Sequence, residues 1–135
     1  MTTVTLSARG TAPVELAWER YARPTLWSTW SPQIWRVEAT ADRIAAGVTG
    51  TVRAVGGLPI RFTVLAVDER ARTWSWRVRL GPVTMTLDHA VRPDASHAPD
   101  GSATDLRVDG PALIVLGYAP IARLALGRLV RGGSV

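Results

Sequence analysis

A chain of 135 residues, 47% hydrophobic and 20% charged, has the size and composition of one compact domain and is too apolar to remain disordered. It contains no cysteine, which excludes disulfide scaffolds, thiol nucleophiles and cysteine-ligated metals. The net charge is +5, yet every basic residue is an arginine and these are scattered singly from Arg9 to Arg131 with acids between them. That pattern reflects the codon usage of a GC-rich genome rather than the clustered stripe of a nucleic-acid surface, and no nucleic-acid partner is expected.

The chain starts Met1-Thr2-Thr3-Val4, with no basic stretch leading into an apolar one. No secretory signal is therefore expected, and a cytoplasmic location is. Val4, Leu6 and Ala8 alternate with Thr3, Thr5 and Ser7, the pattern of a half-buried strand. Gly10-Thr11-Ala12-Pro13 stops that strand and opens a helix, with Thr11 or Ala12 near the cap and Pro13 in the first turn. Val14, Ala17, Trp18 and Tyr21 share one face of the helix. Pro24 restarts the chain into a second short helix carrying Leu26, Trp27 and Trp30, and Ser31-Pro32 ends it.

From there to Gly110 the chain reads as a strand meander. Ile34 to Thr40 begins it and is expected to continue through Arg43-Ile44. Thr51 to Val55, Ile60 to Val67, Thr73 to Leu80, Val83 to Val91 and Ala103 to Val108 follow. Gly56-Gly57-Leu58-Pro59, Asp68-Glu69-Arg70-Ala71 and Gly81-Pro82 serve as turns, and Arg92 to Ser102 as a loop. Asp109-Gly110-Pro111 is the start signal of a last helix running to Arg131, with Asp109 or Gly110 as the cap. Its expected apolar face is Leu113, Ile114, Gly117, Ile121, Leu124 and Ala125, and Pro120 should kink or divide it. The apolar stretch Pro111 to Ala122, interrupted by Gly117 and Pro120 and stopped by Arg123, falls short of the ~20 residues that span a bilayer. No membrane span is expected. Gly132-Gly133-Ser134 closes the helix, giving a domain over 1–131 and a tail over 132–135.

Specific pieces of the chain resemble a known family. Ala12-Pro13-Val14-Glu15-Leu16-Ala17-Trp18 with Trp27-Ser28-Thr29-Trp30-Ser31-Pro32 resembles the N-terminal helices of the START-like SRPBCC superfamily, and within it the bacterial polyketide cyclase/dehydrase-like group. Gly47-Val48-Thr49-Gly50, Val67-Asp68-Glu69, Trp74-Ser75-Trp76, Leu87-Asp88-His89-Ala90-Val91, Gly101-Ser102-Ala103-Thr104 and the apolar last helix match as well. The resemblance implies an α+β helix-grip fold: a curved antiparallel sheet wrapped around a long C-terminal helix, with two short helices after the first strand. It also implies a deep cavity for a hydrophobic ligand such as a polyketide or lipid. It implies no single reaction, because the superfamily hosts cyclases, carriers and sensors.

A cavity between sheet and helix is lined by the inward parity of each strand. That parity holds Trp74, Trp76 and Val78 on one strand and Val83, Met85, Leu87, His89 and Val91 on the next. Phe62 and Val64 face in with Arg61 out, and Leu106 and Val108 face in with Arg107 out, unless a bulge reverses the face. The candidate ligand-binding residues are therefore Trp27, Trp30, Phe62, Trp74, Trp76, Met85, His89 and Tyr118. Trp18 is assigned to the core, and Trp35 is undecided because its strand is apolar on both parities. His89 is the one candidate catalytic residue. A histidine in an apolar cavity can act as general acid/base in cyclisation or dehydration, or it can anchor a ligand or simply satisfy a neighbouring group. The Tyr118 hydroxyl can serve a ligand or reach solvent.

Other chemistry lacks residues to carry it. His97 sits in a Pro/Asp/Ser loop, so the two histidines form no metal-ligand spacing, and neither a Gly-x-Ser-x-Gly elbow nor a phosphate-binding glycine loop occurs. No metal or cofactor is expected. Cyclase relatives resemble one another in presenting polar groups, often an arginine, inside the cavity; here every strand arginine falls on the convex parity. The leading expectation is a binder of hydrophobic small molecules, monomeric or homodimeric. Its alternatives are a cyclase, aromatase or dehydratase acting through His89, and a non-catalytic protein-interaction module.

Overall fold

The computed structural model describes residues 1–132; of the expected tail over 132–135, residues 133–135 lie outside the described residues. In chain order it contains β1 (Thr2–Gly10), α1 (Val14–Ala22), a 3-10 turn (Pro24–Leu26) leading into α2 (Trp27–Trp30), β2 (Ile34–Ala39), β3 (Thr49–Ala54), β4 (Pro59–Asp68), β5 (Thr73–Leu80), β6 (Val83–Pro93), β7 (Ser102–Gly110) and α3 (Ala112–Leu129). The strands form one antiparallel seven-stranded sheet in the order β1-β7-β6-β5-β4-β3-β2. The helices pack on one face of it. This is the helix-grip arrangement that the sequence resemblance implies.

Alternation explains most of the core. On β5, Trp74, Trp76 and Val78 are buried while Arg77 and Arg79 are exposed; on β6, Leu87, His89 and Val91 are buried while Asp88 is exposed. Phe62, Val64, Leu106 and Val108 are buried as their parity requires. β4 carries a register shift between Val64 and Ala66. Trp35, ambiguous by pattern, is 59% exposed, because β2 shifts register between Ile34 and Arg36 and turns that side chain out. At Gly50, opposite Phe62 on β4, a Cβ would lie 2.7 Å from the Phe62 ring and 2.1 Å from the Glu38 carbonyl oxygen. Only glycine lets that ring lie flat across the strand.

Three local expectations are corrected. β2 stops at Ala39 rather than continuing through Arg43-Ile44. Those residues instead tie the following loop to α1: the Ile44 N–H donates to the Ala22 carbonyl at 2.8 Å, and Arg43 bridges Glu19 and Glu69, each at 2.7 Å. Asp109 and Gly110 do not cap α3; both are the end of β7, where the Thr3 hydroxyl donates to the Asp109 carboxylate, and α3 starts after Pro111 without a capping side chain. Pro120 does not divide α3, which continues through it as one helix. It lies on the exposed side, where the loss of a backbone hydrogen bond costs least.

The face that α3 buries is also corrected. The buried residues are Val115, Ala122, Ala125, Leu126 and Leu129, so of the expected face only Ala125 is inside. Leu113, Ile114, Ile121 and Leu124 are 40–87% exposed. Apart from Arg123 and Arg128 the helix is apolar over most of its surface, with a mean hydropathy of 1.5 over its 18 residues, so periodicity is a poor guide to its inner face. The sheet makes the choice. Its inner face carries bulky tryptophan rings, and the small alanines of α3 face them. By length and composition alone α3 would also suit a membrane span, but its Val115-to-Leu129 side is committed to the sheet. Its C-terminal end is held by Arg20, a buried arginine on α1 whose Nη1 donates to the carbonyls of Leu129 (2.6 Å), Arg131 (2.7 Å) and Arg128 (3.3 Å).

Candidate functional site

Between the sheet and α3 lies a cavity of about 150 Å³. Trp27 and Trp30 enter it from α2, Trp74 and Trp76 from β5, Met85 and His89 from β6, and Tyr118 from α3. The expectation is corrected at Phe62, which does not line the cavity. It is buried behind the lining, 5.3 Å from the Trp27 ring and 5.6 Å from the Trp76 ring. Ala122, Ala125 and Leu126 complete the helix side, and Gln33 adds a half-buried amide. Of these four only Ala125 lies on the face expected from sequence; Gln33 lies on a turn without pattern, and Ala122 and Leu126 lie outside that expected face. No group of three His, Asp or Glu side chains positioned to hold a metal occurs among the described residues.

The polar atoms of this wall define its chemistry. Trp74 stands directly opposite His89 in the β5–β6 ladder, and Trp76 stands opposite Leu87, which makes Trp76 the diagonal neighbour of His89. The Trp76 indole N–H donates to His89 Nε2 at 3.0 Å. An indole nitrogen only donates, so Nε2 must be the unprotonated nitrogen and the ring proton sits on Nδ1. Burial pushes the His89 pKa down to about 3, because an imidazolium here would have no solvent and no counter-charge. At neutral pH His89 is thus an uncharged imidazole of fixed tautomer.

Its surroundings hold the ring in place. Trp74 stacks on it with centroids 4.7 Å apart and planes 13° apart, and Tyr21 meets it at an angle, also at 4.7 Å. Tyr21 is fully buried. The Thr104 hydroxyl donates to the Ala90 carbonyl at 2.9 Å, so the Tyr21 hydroxyl is the donor in its 2.6 Å contact with Thr104 Oγ1. Burial raises the Tyr21 phenol far above its ordinary pKa and the Tyr118 phenol to about 12. Every ionisable side chain lining the cavity is therefore neutral at physiological pH.

The family that this chain matches is the one described as polyketide cyclase/dehydrase and lipid transport, over residues 1–134. The chain belongs to that family. No curated protein matches it. Solved structures with the same fold include XoxI from Bacillus cereus, with a TM-score of 0.79 and 15% identity over 96% of this chain and 94% of that one. The di-domain aromatase/cyclase BexL of the BE-7585A biosynthetic pathway superposes with a TM-score of 0.75 and 18% identity, over 96% of this chain and 45% of that one. Ara h 8.0201 does so with a TM-score of 0.72 and 12% identity, over 95% and 94% of the two chains. At these identities the likeness is one of fold. Family and cavity together support hydrophobic-ligand binding or a cyclase-like role.

Proposed function

We propose that the protein binds a small, mainly apolar molecule in the cavity under α3, and that His89 serves there as a neutral hydrogen-bonding group rather than as a proton-transfer catalyst. The observation that carries this reading is the Trp76–His89 hydrogen bond within a largely apolar wall. A general base needs a free lone pair, and the only lone pair on this imidazole is occupied by an indole N–H. A general acid needs a pKa near the working pH, and burial holds this one at about 3. Apolar walls with few oriented dipoles also favour binding over stabilisation of developing charge.

The size of the cavity narrows the ligand. A cavity of about 150 Å³ takes a molecule the size of benzene, so it suits a single ring or short chain better than a full-length polyketide. The cavity also disfavours a pure interaction module, whose interior would be filled. Titration of the purified protein with alkylbenzenes and short fatty acids, followed by the fluorescence of Trp27, Trp74 and Trp76, tests the reading. Saturable quenching or a wavelength shift is expected; no response to any of them refutes it. The cyclase reading, with His89 as acid/base, requires that His89→Gln abolish turnover of a poly-ketone substrate while binding persists. Our reading expects that variant to lose affinity instead.

A further inference from the structure

Two hydrogen-bond donors in the cavity wall have no partner. Five indoles are buried, those of Trp18, Trp27, Trp30, Trp74 and Trp76. Four of them donate: Trp18 to Glu69 Oε1 (2.7 Å), Trp27 to the Tyr21 carbonyl (2.8 Å), Trp30 to the Arg20 carbonyl (2.9 Å) and Trp76 to His89 Nε2 (3.0 Å). The exception is Trp74, whose Nε1–H is buried without an acceptor. His89 Nδ1, which carries the proton because Nε2 accepts from Trp76, is likewise buried and unpartnered. The two rings are cross-strand partners stacked at 4.7 Å. Native proteins rarely leave such groups unpaired, because each one left so forfeits the hydrogen bonds it had in water. Both donors lie on adjacent side chains of a single wall of a largely apolar cavity, whose other unpartnered buried polar atom is an acceptor, Gln33 Oε1.

We propose that the ligand carries a carbonyl group, and that Trp74 Nε1–H and His89 Nδ1–H grip its oxygen together. This rests on the reading of the cavity as a small-hydrophobe site and specifies what that hydrophobe must bear. Both groups are donors, so the complementary atom has two lone pairs and no proton, which a carbonyl oxygen supplies. A hydroxyl would bring its own proton, and neither of the two rings has an acceptor left for it. A carboxylate would bring a charge beside a neutral imidazole and pay the full cost of leaving water. A cyclic or aromatic ketone or aldehyde of about one ring satisfies both the volume and the donors.

The experiment compares acetophenone with α-methylstyrene, in which a CH₂ group replaces the carbonyl oxygen at nearly the same shape. A cavity without usable donors prefers the hydrocarbon, the more hydrophobic of the two. Wild-type protein is expected to bind acetophenone at least as tightly as α-methylstyrene by calorimetry. Trp74→Phe and His89→Phe are each expected to shift the ratio of the two dissociation constants about tenfold or more towards the hydrocarbon. The ratio is read within each variant, so a general loss of stability cancels. In the unmutated protein, the Trp74 Nε1–H and His89 Nδ1–H proton resonances are expected to move downfield with acetophenone and not with α-methylstyrene. Preference for the hydrocarbon in the wild type, with the same ratio in both variants and unmoved resonances, overturns the carbonyl proposal while leaving the small-hydrophobe reading intact. Binding of neither compound overturns that reading, and this one with it.

Discussion

Acidification is the cleanest perturbation of His89, because its folded and unfolded states differ so much in proton affinity. In the unfolded chain the imidazole titrates near 6.5; in the folded protein burial holds it at about 3. Between those values the unfolded state binds a proton that the folded state refuses, so stability falls as the pH drops, by up to about 1.4 kcal/mol per unit. The His89 contribution is almost fully present at pH 7, and its loss begins as pH passes the unfolded value. By pH 5 it amounts to about 2 kcal/mol. Glu69, Asp94 and Asp105, all held below their ordinary carboxylate values, lose their contribution only at lower pH, which leaves pH 7 to 5 as the diagnostic window. For a chain of this length, 2 kcal/mol corresponds to a fall in Tm of about 7 °C. Urea denaturation at half-unit steps of pH, on the wild type and on His89→Gln, reads it directly. Glutamine keeps an acceptor for the Trp76 indole and has nothing to titrate, so its stability should stay nearly level across the window. Parallel curves for the two proteins would refute the buried neutral imidazole.

Filling the cavity separates binding from folding. Ala122→Leu places three more carbons against Trp74 and Trp76 from the helix side, and is expected to weaken any bound hydrophobe about tenfold or more while Tm holds or rises, both readable by fluorescence titration and thermal melts. Arg20→Leu removes a buried guanidinium that serves three carbonyls at the end of α3; a loss of about 2–4 kcal/mol in chemical denaturation is expected, with hydrogen exchange accelerating first in the last turn of α3. Gly50→Ala forces a Cβ to within 2.1 Å of the Glu38 carbonyl oxygen and 2.7 Å of the Phe62 ring, and should cost about 3 kcal/mol, with altered packing visible in the fluorescence of Trp27, which Phe62 supports.

The parts of this fold that alternate were legible as sequence, because a strand with one face buried repeats every two residues. β5 and β6 place Trp74, Trp76, Leu87 and His89 inside and every intervening charged side chain outside. The rest failed for identifiable reasons. The orientation of Trp35 depends on a register shift that leaves no mark on composition. α3 is apolar over most of its surface, so its own period is a poor guide to its inner face, where small alanines meet the tryptophans of the sheet. Phe62 has the correct parity for the cavity, but Trp27 and Trp76 stand in front of it. Arg20 lies next to the apolar stripe of α1 and resembles a solvent residue until the end of α3 is brought over it.

The same limit separates where His89 is from what it does. Parity alone places an imidazole in an apolar cavity, and there the acid/base and anchoring readings are both available. The distinction comes from a diagonal contact. Trp76 pairs across the ladder with Leu87, two residues before His89, and its indole is long enough to reach the imidazole from that position. Tryptophan has one proton to give and no lone pair to offer, so the contact fixes which nitrogen of His89 is bare. With Nε2 engaged, the only polar functions left on the ring and its stacked partner are two N–H groups. On the reading proposed above, such a wall presents donors without a base: it would hold an oxygen and polarise it, with His89 unable to take a proton from the carbon beside it. The neutral state of the ring follows from the burial that also makes the cavity apolar, so recovering acid/base chemistry would require opening the cavity to water and losing the enclosure that favours a hydrophobic ligand.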